Sequence, residues 1–297
     1  MTFKLLALPG DARFAAALAD RAAADVLDVD IRRFPDGESY LRLNEPVDDA
    51  SIAVVARLDR PDPKIPSLLF AAAMARDLGA ARVGLVAPYL PYMRQDDRFK
   101  PGEAVTSVVF ARWISTHFDW LVTVDPHLHR YPTLEAIYSL QARTVTAAPL
   151  IADWIDRNVA DPVVVGPDSE SEQWVRAVAA VHDLPWRVLE KTRHGDTDVS
   201  VRGDDLDAVR GRNPVLVDDI CSSGATLVEA ARVLRDAGLP APACAIVHGL
   251  FDADNRARLR EAGVGPVVAT DSVASDEARI ELATRIAPTI ADLANAT

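Results

Sequence analysis

The sequence predicts an α/β protein made of two consecutive domains, each a mainly parallel sheet flanked by helices. Short apolar runs alternate with segments of helical periodicity from one end of the chain to the other. Near-continuous apolar runs are typical of parallel strands that helices cover on both faces. A length of 297 residues suits about two domains, and the alternation restarts near residue 145. We therefore expect domains at 1–145 and 146–297, with the last helix able to pack on the first domain.

The first half of the chain contains apolar runs separated by helical patterns. Pro66 stands where a helix would begin and Gly79 where it would end, with apolar residues between them at helical spacing. The predicted order is strand 3–8, helix 11–23, strand 52–56, helix 66–79, strand 83–87, helix 107–118 and strand 121–124. A Pro35-Asp36-Gly37 turn before the alternating segment 39–43 predicts a hairpin.

The second half repeats this alternation. The predicted order is helix 149–158, strand 163–166, helix 172–182, strand 186–190, a strand ending at Asp218-Asp219, a helix 227–237, strand 244–248, helix 255–262, strand 267–270 and helix 276–294. The polar segment 190–198 predicts a mobile surface loop. Because ligands of parallel α/β sheets bind beyond the carboxyl ends of the strands, the loops after these strands are candidates for function.

Composition and charge limit the classes of function. The chain is 49% hydrophobic and 26% charged, which is typical of a globular protein. A formal net charge of −12 argues against non-specific binding to nucleic acid, which requires a basic surface. The two cysteines have neither metal-site nor disulfide-framework spacing. With no apolar run of about 18 residues and no signal-peptide pattern, we expect a cytoplasmic protein without membrane or nucleic-acid partners.

The segment from Val215 to Thr226 is the most informative in the chain. An apolar run ends in two carboxylates, Asp218 and Asp219, and a loop of small residues leads into a helical pattern. Unpaired N–H groups at a helix start favour an anion, and small side chains let a phosphate approach the backbone. Two carboxylates beside such a site suit the hydroxyls of a phosphorylated sugar, or a metal. The alternative is an ordinary turn between a strand and a helix.

Six segments of the sequence resemble motifs of one family. Ser223-Gly224-Ala225-Thr226 resembles the Thr-x-Gly-Thr end of the phosphoribosyl-diphosphate (PRPP) binding loop of type I phosphoribosyltransferases and of ribose-phosphate diphosphokinases, the PRPP synthetases. The diphosphokinase motifs F-x-D-G-E, Y-x-R-Q-D, D-x-H and K-x-R correspond, in chain order, to segments at Phe34–Glu38, Tyr92–Asp96, Asp125–His127 and Lys191–Arg193. A further motif, S-P-D-x-G-G, is matched only at Pro167 and Asp168. The continuation Arg98-Phe-Lys-Pro-Gly-Glu103 resembles the archaeal branch.

The resemblance implies two tandem phosphoribosyltransferase-like domains, an N-terminal one for ATP and a C-terminal one for ribose 5-phosphate. It implies transfer of the β,γ-diphosphate of Mg-ATP to the C1 hydroxyl of ribose 5-phosphate, giving PRPP and AMP. The implied ATP contacts are Phe34, Asp36, Glu38, Arg94 and Gln95. The implied ribose 5-phosphate contacts are Asp218, Asp219, Ser222, Ser223, Gly224, Ala225 and Thr226. His127 and Asp168 would help place Mg²⁺, Lys191 and Arg193 would be catalytic, and a homodimer or higher homo-oligomer is expected.

Two departures from the family pattern keep other functions open. The loop after Asp168 lacks the family's two glycines and carries Glu170 and Glu172 instead, and Ala225 replaces a glycine. A non-catalytic regulatory relative of the diphosphokinases is therefore one alternative. A phosphoribosyltransferase is the other, although such a chain would not need the motifs at Phe34 and Arg94.

Overall fold

The computed structural model describes residues 2–194, 198–202 and 206–295, with side chains described outside 190–205 and up to 294. The chain divides into two compact units. One contains residues 2–146 together with 282–295, and the other contains residues 147–281. Each unit has its own sheet.

The first unit is built on a six-stranded sheet whose neighbouring strands all run parallel. In spatial order its strands are β2 (Asp25–Val26), β1 (Phe3–Ala7), β5 (Ser51–Val55), β6 (Arg82–Val86), β7 (Trp120–Val124) and β8 (Gln141–Val145). Its helices are α1 (Ala12–Ala22), α2 (Ile65–Asp77), α3 (Thr106–His117) and α8 (Ala283–Asn295). A separate antiparallel hairpin joins β3 (Val29–Arg33) to β4 (Ser39–Leu43).

Close packing between β6 and β7 explains one residue choice in the core of this unit. Gly84 on β6 pairs with Trp120 on β7, and the indole is fully buried. A Cβ at Gly84 would lie 1.9 Å from Trp120 Cε2, so only glycine leaves room for the ring. The tryptophan thereby fills the sheet face that a larger residue on β6 would otherwise cover.

The second unit repeats the design of the first. In spatial order its parallel sheet contains β10 (Trp186–Val188), β9 (Pro162–Gly166), β13 (Asn213–Cys221), β14 (Ala243–Gly249), β15 (Val267–Thr270) and β16 (Ala278–Ile280). Its helices are α4 (Ala148–Asn158), α5 (Glu172–Val181), α6 (Ala225–Asp236) and α7 (Ala253–Glu261). An antiparallel hairpin pairs β11 (Glu190–His194) with β12 (Asp198–Arg202).

The fold class predicted from the sequence is confirmed, but three elements differ from expectation. Residues 276–294 are not one helix: β16 runs parallel to β15, and α8 begins only at Ala283. The edge strand β8 was missed because its sequence, Gln-Ala-Arg-Thr-Val, is mostly polar and half of it faces solvent. Segment 190–198 was expected to be a loop, but all of its described residues lie in the two strands of the β11–β12 hairpin.

Within the described residues, no helix is both long enough and apolar enough to cross a bilayer.

Candidate functional site

The loop between β13 and α6 begins a helix at the carboxyl end of a central strand. Gly224 has a φ of +72°, a left-handed conformation that favours glycine, and it immediately precedes α6. A Cβ at Gly224 would also lie 3.4 Å from Leu259 Cγ. Ala225, by contrast, is the first residue of the helix, where alanine fits without strain. The replacement of the family glycine at 225 therefore falls where no glycine is needed.

Asp218 and Asp219 lie at the end of β13, directly before this loop. Asp219 is 3% exposed, and its Oδ1 accepts a hydrogen bond of 2.7 Å from the Ile220 N–H. Asp218 Oδ1 accepts the Asp219 N–H at 3.0 Å. Burial, with the nearby carboxylates of Asp219 and Asp168, raises the pKa of Asp218 well above its usual range. Hydroxyl donors or a cation at this edge would relieve that unfavourable charge.

The loop after β9 brings Asp168 to the same edge, because β9 and β13 are neighbours. Residues Ser169–Ser171 form a 3₁₀ turn that Asp168 caps, its Oδ1 accepting the Glu170 N–H at 3.1 Å. The Ser171 hydroxyl returns a hydrogen bond of 2.6 Å to the Asp168 carbonyl. This departure from the family pattern is thus a capped turn rather than a glycine nest. Glu172 pairs with Arg176 at 2.5 Å on the surface of α5.

In the first unit, the β3–β4 hairpin presents an aromatic ring to solvent. Phe34 is 40% exposed, and its N–H bonds the Glu38 carbonyl at 2.8 Å across a turn in which Gly37 has a φ of +95°. The Asp36 carboxylate accepts the Glu38 N–H at 3.1 Å, so it helps to hold the turn. The Arg32 guanidinium lies 4.8 Å from the centre of the Phe34 ring. One ring face is therefore supported by a cation, an arrangement compatible with a base stacking on Phe34.

The loop after β6 carries the exposed Arg94. Tyr92, two residues earlier, has a φ of +64°, and its hydroxyl donates a 2.5 Å hydrogen bond to Asp62 Oδ1. The Gln95 side chain accepts a hydrogen bond of 3.1 Å from Thr106 Oγ1 at the start of α3. Gln95 is therefore tied to the helix, whereas Arg94 reaches the surface.

His127 follows β7, which is the neighbour of β6. Its ring meets that of His129 edge-on, with centroids 4.0 Å apart. Arg130 Nη1 lies 3.1 Å from Asp96 Oδ1 and so joins this loop to the one that carries Arg94. The structure thus places the motif residues of β6 and β7 on two linked loops at one edge of the first sheet.

The predicted metal residues, His127 and Asp168, belong to different units. No group of three or more His, Cys, Asp or Glu side chains within the described part of the chain is arranged to hold a metal by itself. Mg²⁺ is usually bound through one or two carboxylates together with substrate phosphates and water. The carboxylates of Asp168, Asp218 and Asp219 have the donor chemistry that such an ion requires.

Lys191 and Arg193 lie on β11, opposite Val201 and Val199 of β12. Their side chains are outside the described residues, so the catalytic roles expected for them stay predictions.

One residue beside the loop between β13 and α6 was not predicted from the sequence. The Asn255 amide donates a hydrogen bond to the Ser222 carbonyl, and its backbone N–H donates one of 2.7 Å to Asp252 Oδ1. The helical pattern predicted a helix start at Asn255, two residues late. Asp252 is a typical N-cap residue, and treating it as one would have placed Asn255 in the first turn of α7.

Comparison with known proteins supports the resemblance along nearly the whole chain. Residues 3–117 match the model of the N-terminal domain of ribose phosphate pyrophosphokinase, and residues 133–272 match that of the phosphoribosyl transferase domain. The ribose-phosphate pyrophosphokinase of Methanopyrus kandleri is 35% identical over 279 residues, covering 93% of this chain and 94% of that protein. The one from Methanothermobacter thermautotrophicus is 36% identical over 283 residues, covering 95% and 96%.

A solved structure gives the same fold. The crystal structure of phosphoribosylpyrophosphate synthetase from Mycobacterium smegmatis superposes with a TM-score of 0.82 at 24% identity, covering 99% of this chain and 97% of that one. Two family models cover most of the sequence, and relatives above 30% identity span more than nine tenths of it. The chain therefore belongs to the ribose-phosphate pyrophosphokinase family.

Proposed function

We propose that this protein transfers the β,γ-diphosphate of Mg-ATP to the C1 hydroxyl of ribose 5-phosphate, producing PRPP and AMP. The observation that carries the proposal is the Asp218-Asp219 pair followed by the loop at Gly224. Carboxylates accept sugar hydroxyls, and a helix start binds phosphate. The carboxylates and the helix start lie next to each other at the end of one strand, which suits a phosphorylated sugar. A phosphorylated sugar is the acceptor that the family name implies.

In this proposal the second unit binds ribose 5-phosphate. Asp218 and Asp219 accept hydrogen bonds from the ribose hydroxyls. The loop Ser222-Ser223-Gly224-Ala225-Thr226 binds the 5-phosphate through backbone N–H groups and hydroxyls. The positive φ of Gly224 supports this role, because it lets the chain turn directly from the strand into the first turn of α6.

ATP binds through residues of the first unit. Phe34 stacks on the adenine, whose edge is read by Asp36 and Glu38, and Arg94 and Gln95 contact the nucleotide. The exposure of Phe34 and its cation-supported ring favour stacking on a base. Arg94 supplies positive charge in a chain whose net charge is −12, and a polyphosphate needs such local cations.

The transfer itself is a displacement at the β-phosphorus. The C1 oxygen of ribose 5-phosphate forms a new bond to the β-phosphorus. The bond between the β-phosphorus and the oxygen that bridges it to the α-phosphorus breaks, and this oxygen leaves as part of AMP. The C1 hydroxyl releases its proton to solvent. Lys191 and Arg193 neutralise the charge on the moving diphosphate, and positioning supplies most of the remaining catalysis. Mg²⁺, helped into place by Asp168 and His127, would neutralise the phosphate oxygens.

The capped turn at Ser169–Ser171 is the observation that favours the regulatory alternative. Its Glu170 N–H donates to the Asp168 carboxylate, and the segment carries two additional carboxylates, Glu170 and Glu172, beside which a diphosphate binds less well. A regulatory relative would bind the same ligands without turning them over.

The test is to incubate the purified protein with ATP, MgCl₂ and ribose 5-phosphate and to measure AMP and PRPP. We expect AMP formation to need both the sugar phosphate and Mg²⁺. ADP as the product would indicate simple γ-phosphoryl transfer and reject the proposal. Binding of both ligands without AMP would favour the regulatory alternative.

A further inference from the structure

Asn255 joins α7 to the loop Ser222–Thr226, called the phosphate loop below. It lies in the first turn of α7, its residue is only 7% exposed, and its side-chain amide donates to the Ser222 carbonyl. Its own N–H is held by Asp252, which caps the helix. One residue therefore fixes both the start of a helix and a carbonyl of the neighbouring loop.

The helix that carries Asn255 is anchored at several points. Arg256 makes two hydrogen bonds to the Glu277 carboxylate, of 2.6 and 2.9 Å. The Leu250 N–H, just before α7, bonds the Cys221 carbonyl at 2.8 Å. Leu259, one turn further along α7, lies beside Gly224. The support beneath the loop is thus fixed in position before any ligand arrives.

The hydrogen bond from Asn255 determines how one peptide group of the loop is oriented. The peptide between Ser222 and Ser223 is planar and trans, so its C=O and N–H point in opposite directions. Because Asn255 binds the Ser222 oxygen, the Ser223 N–H is directed away from α7. If this peptide rotated, it would offer an oxygen instead of a donor to a bound phosphate, which would repel it.

We infer that Asn255 is a positioning residue for the 5-phosphate of ribose 5-phosphate, acting through the Ser222–Ser223 peptide rather than by touching the ligand. The inference rests on the proposed function, because it assumes that the loop binds a phosphate. Asn255 belongs to none of the motifs that identify the family. Its side chain has no ionisable group, so it would serve this role across the working pH range.

Two variants test the role and one controls for the stability of α7. Asn255→Ala removes the amide, and Asn255→Asp keeps its shape but replaces the donor with an acceptor. Arg256→Ala removes the Arg256–Glu277 pair that anchors α7, without removing a partner of Asn255 or Ser222. We expect both Asn255 variants to raise the KM for ribose 5-phosphate about tenfold, because a lost hydrogen bond of about 1.4 kcal/mol corresponds to that factor. The KM for ATP should stay within about twofold.

Arg256→Ala should lower the melting temperature while leaving the KM for ribose 5-phosphate within about twofold, because it removes an anchor of α7 and no partner of Asn255. If it raises that KM as much as the Asn255 variants do, Asn255 acts only through the stability of α7 and the inference is wrong. The inference would also be wrong if the Asn255 variants raised the KM for ATP as much as the KM for ribose 5-phosphate. It would be wrong as well if Asn255→Asp kept the wild-type KM for ribose 5-phosphate.

Binding measured without turnover separates this inference from the proposed function. Calorimetric titration with ribose 5-phosphate and, separately, inorganic phosphate should show the same affinity loss in the Asn255 variants. If wild-type protein binds ribose 5-phosphate but forms no AMP, the proposed reaction fails while the affinity loss still supports the role of Asn255. If AMP forms but the variants bind like wild type, the inference alone fails.

Discussion

Tyr92 donates a hydrogen bond of 2.5 Å from its hydroxyl to the carboxylate of Asp62. Its backbone φ of +64° is unusual for an aromatic residue and costs about 1–3 kcal/mol, so surrounding contacts must hold it. Its ring also packs on Phe110, with centroids 5.0 Å apart. The contacts of Tyr92 with Asp62 and Phe110 fix the backbone of the loop at this point. This matters for the candidate site because Arg94 follows two residues later.

The Tyr92 hydroxyl should therefore contribute to stability. We expect Tyr92→Phe to lower the free energy of unfolding by about 1 kcal/mol or somewhat more, because a hydrogen bond to a carboxylate is lost. Urea denaturation measures the change. Tyr138 is the matched control: within the described structure its buried hydroxyl has no hydrogen-bond partner. Tyr138→Phe should be neutral or stabilising, and an equal loss in both variants would contradict this account.

Lys191 and Arg193 are expected to act mainly in the transition state. Replacing either with alanine should lower kcat by about two orders of magnitude while changing KM little, because charge shifts onto the diphosphate only during transfer. Steady-state kinetics with both substrates measures this. Arg157→Ala, which removes an exposed arginine of α4, controls for loss of surface charge and should keep wild-type kcat. An effect confined to KM would instead make β11 a substrate clamp.

Asp218 and Asp219 are expected to bind the sugar rather than the nucleotide. Asp218→Asn and Asp219→Asn should each weaken ribose 5-phosphate binding far more than ATP binding, by about 1.5–3 kcal/mol per charge-assisted hydrogen bond. Calorimetric titration of each ligand separately gives the two affinities. Equal losses for both ligands would show that the carboxylates serve a metal or the fold instead.

The Arg256–Glu277 pair predicts a dependence of stability on pH. Hydrogen bonds from Arg256 lower the pKa of Glu277 below the ordinary glutamate value of 4.5. A lowered carboxyl pKa adds stability that is complete well above pH 4.5 and is lost as pH falls through the folded-state pKa. Glu277→Gln should thus be less stable than wild type near pH 7, and the gap should shrink as pH falls toward 3. A gap that stays constant in urea titrations across this range would refute the assignment.

Local patterns in the sequence determine some strands of this fold, and tertiary contacts determine others. Buried parallel strands such as β5 and β14 have continuous apolar runs, so the sequence predicts them well. Edge strands such as β8 and β16 are stabilised by pairing with one neighbour rather than by an apolar run, and both were missed. The consequence of the Ala225 substitution also needed the structure, because only the helix boundary shows that no glycine is required there.

The candidate site likewise contains some residues that the sequence predicts and others that only tertiary contacts reveal. Asp168, Asp218 and Asp219 could be grouped from the sequence because parallel strands end at one edge of a sheet. Asn255 could not, because its partner is a backbone carbonyl 33 positions away and backbone carbonyls leave no mark on the sequence. The capped turn after Asp168 likewise depends on Ser171, which carried no functional pattern of its own.

The last prediction concerns assembly. We expect the active unit to be at least a homodimer in which Phe34 and Glu38 of one subunit complete the adenine pocket of another. The β3–β4 hairpin pairs only with itself among the described strands and presents Phe34 to solvent, which suits contact with a second copy.

A mixing experiment tests the shared site. Phe34→Ala/Glu38→Ala subunits should be inactive because they cannot hold adenine, and Lys191→Ala subunits should be nearly inactive because they cannot stabilise the transfer. After subunit exchange, each mixed dimer would have one site that combines an intact hairpin from one chain with an intact Lys191 from the other. Random 1:1 pairing makes about half of the dimers mixed, and one of the two sites in each is intact, so activity should recover to about a quarter of wild type. Subunit exchange is verified independently with differently tagged chains. Full activity from a monomer at nanomolar concentration, or no recovery despite proven exchange, would show that each chain builds its adenine pocket alone.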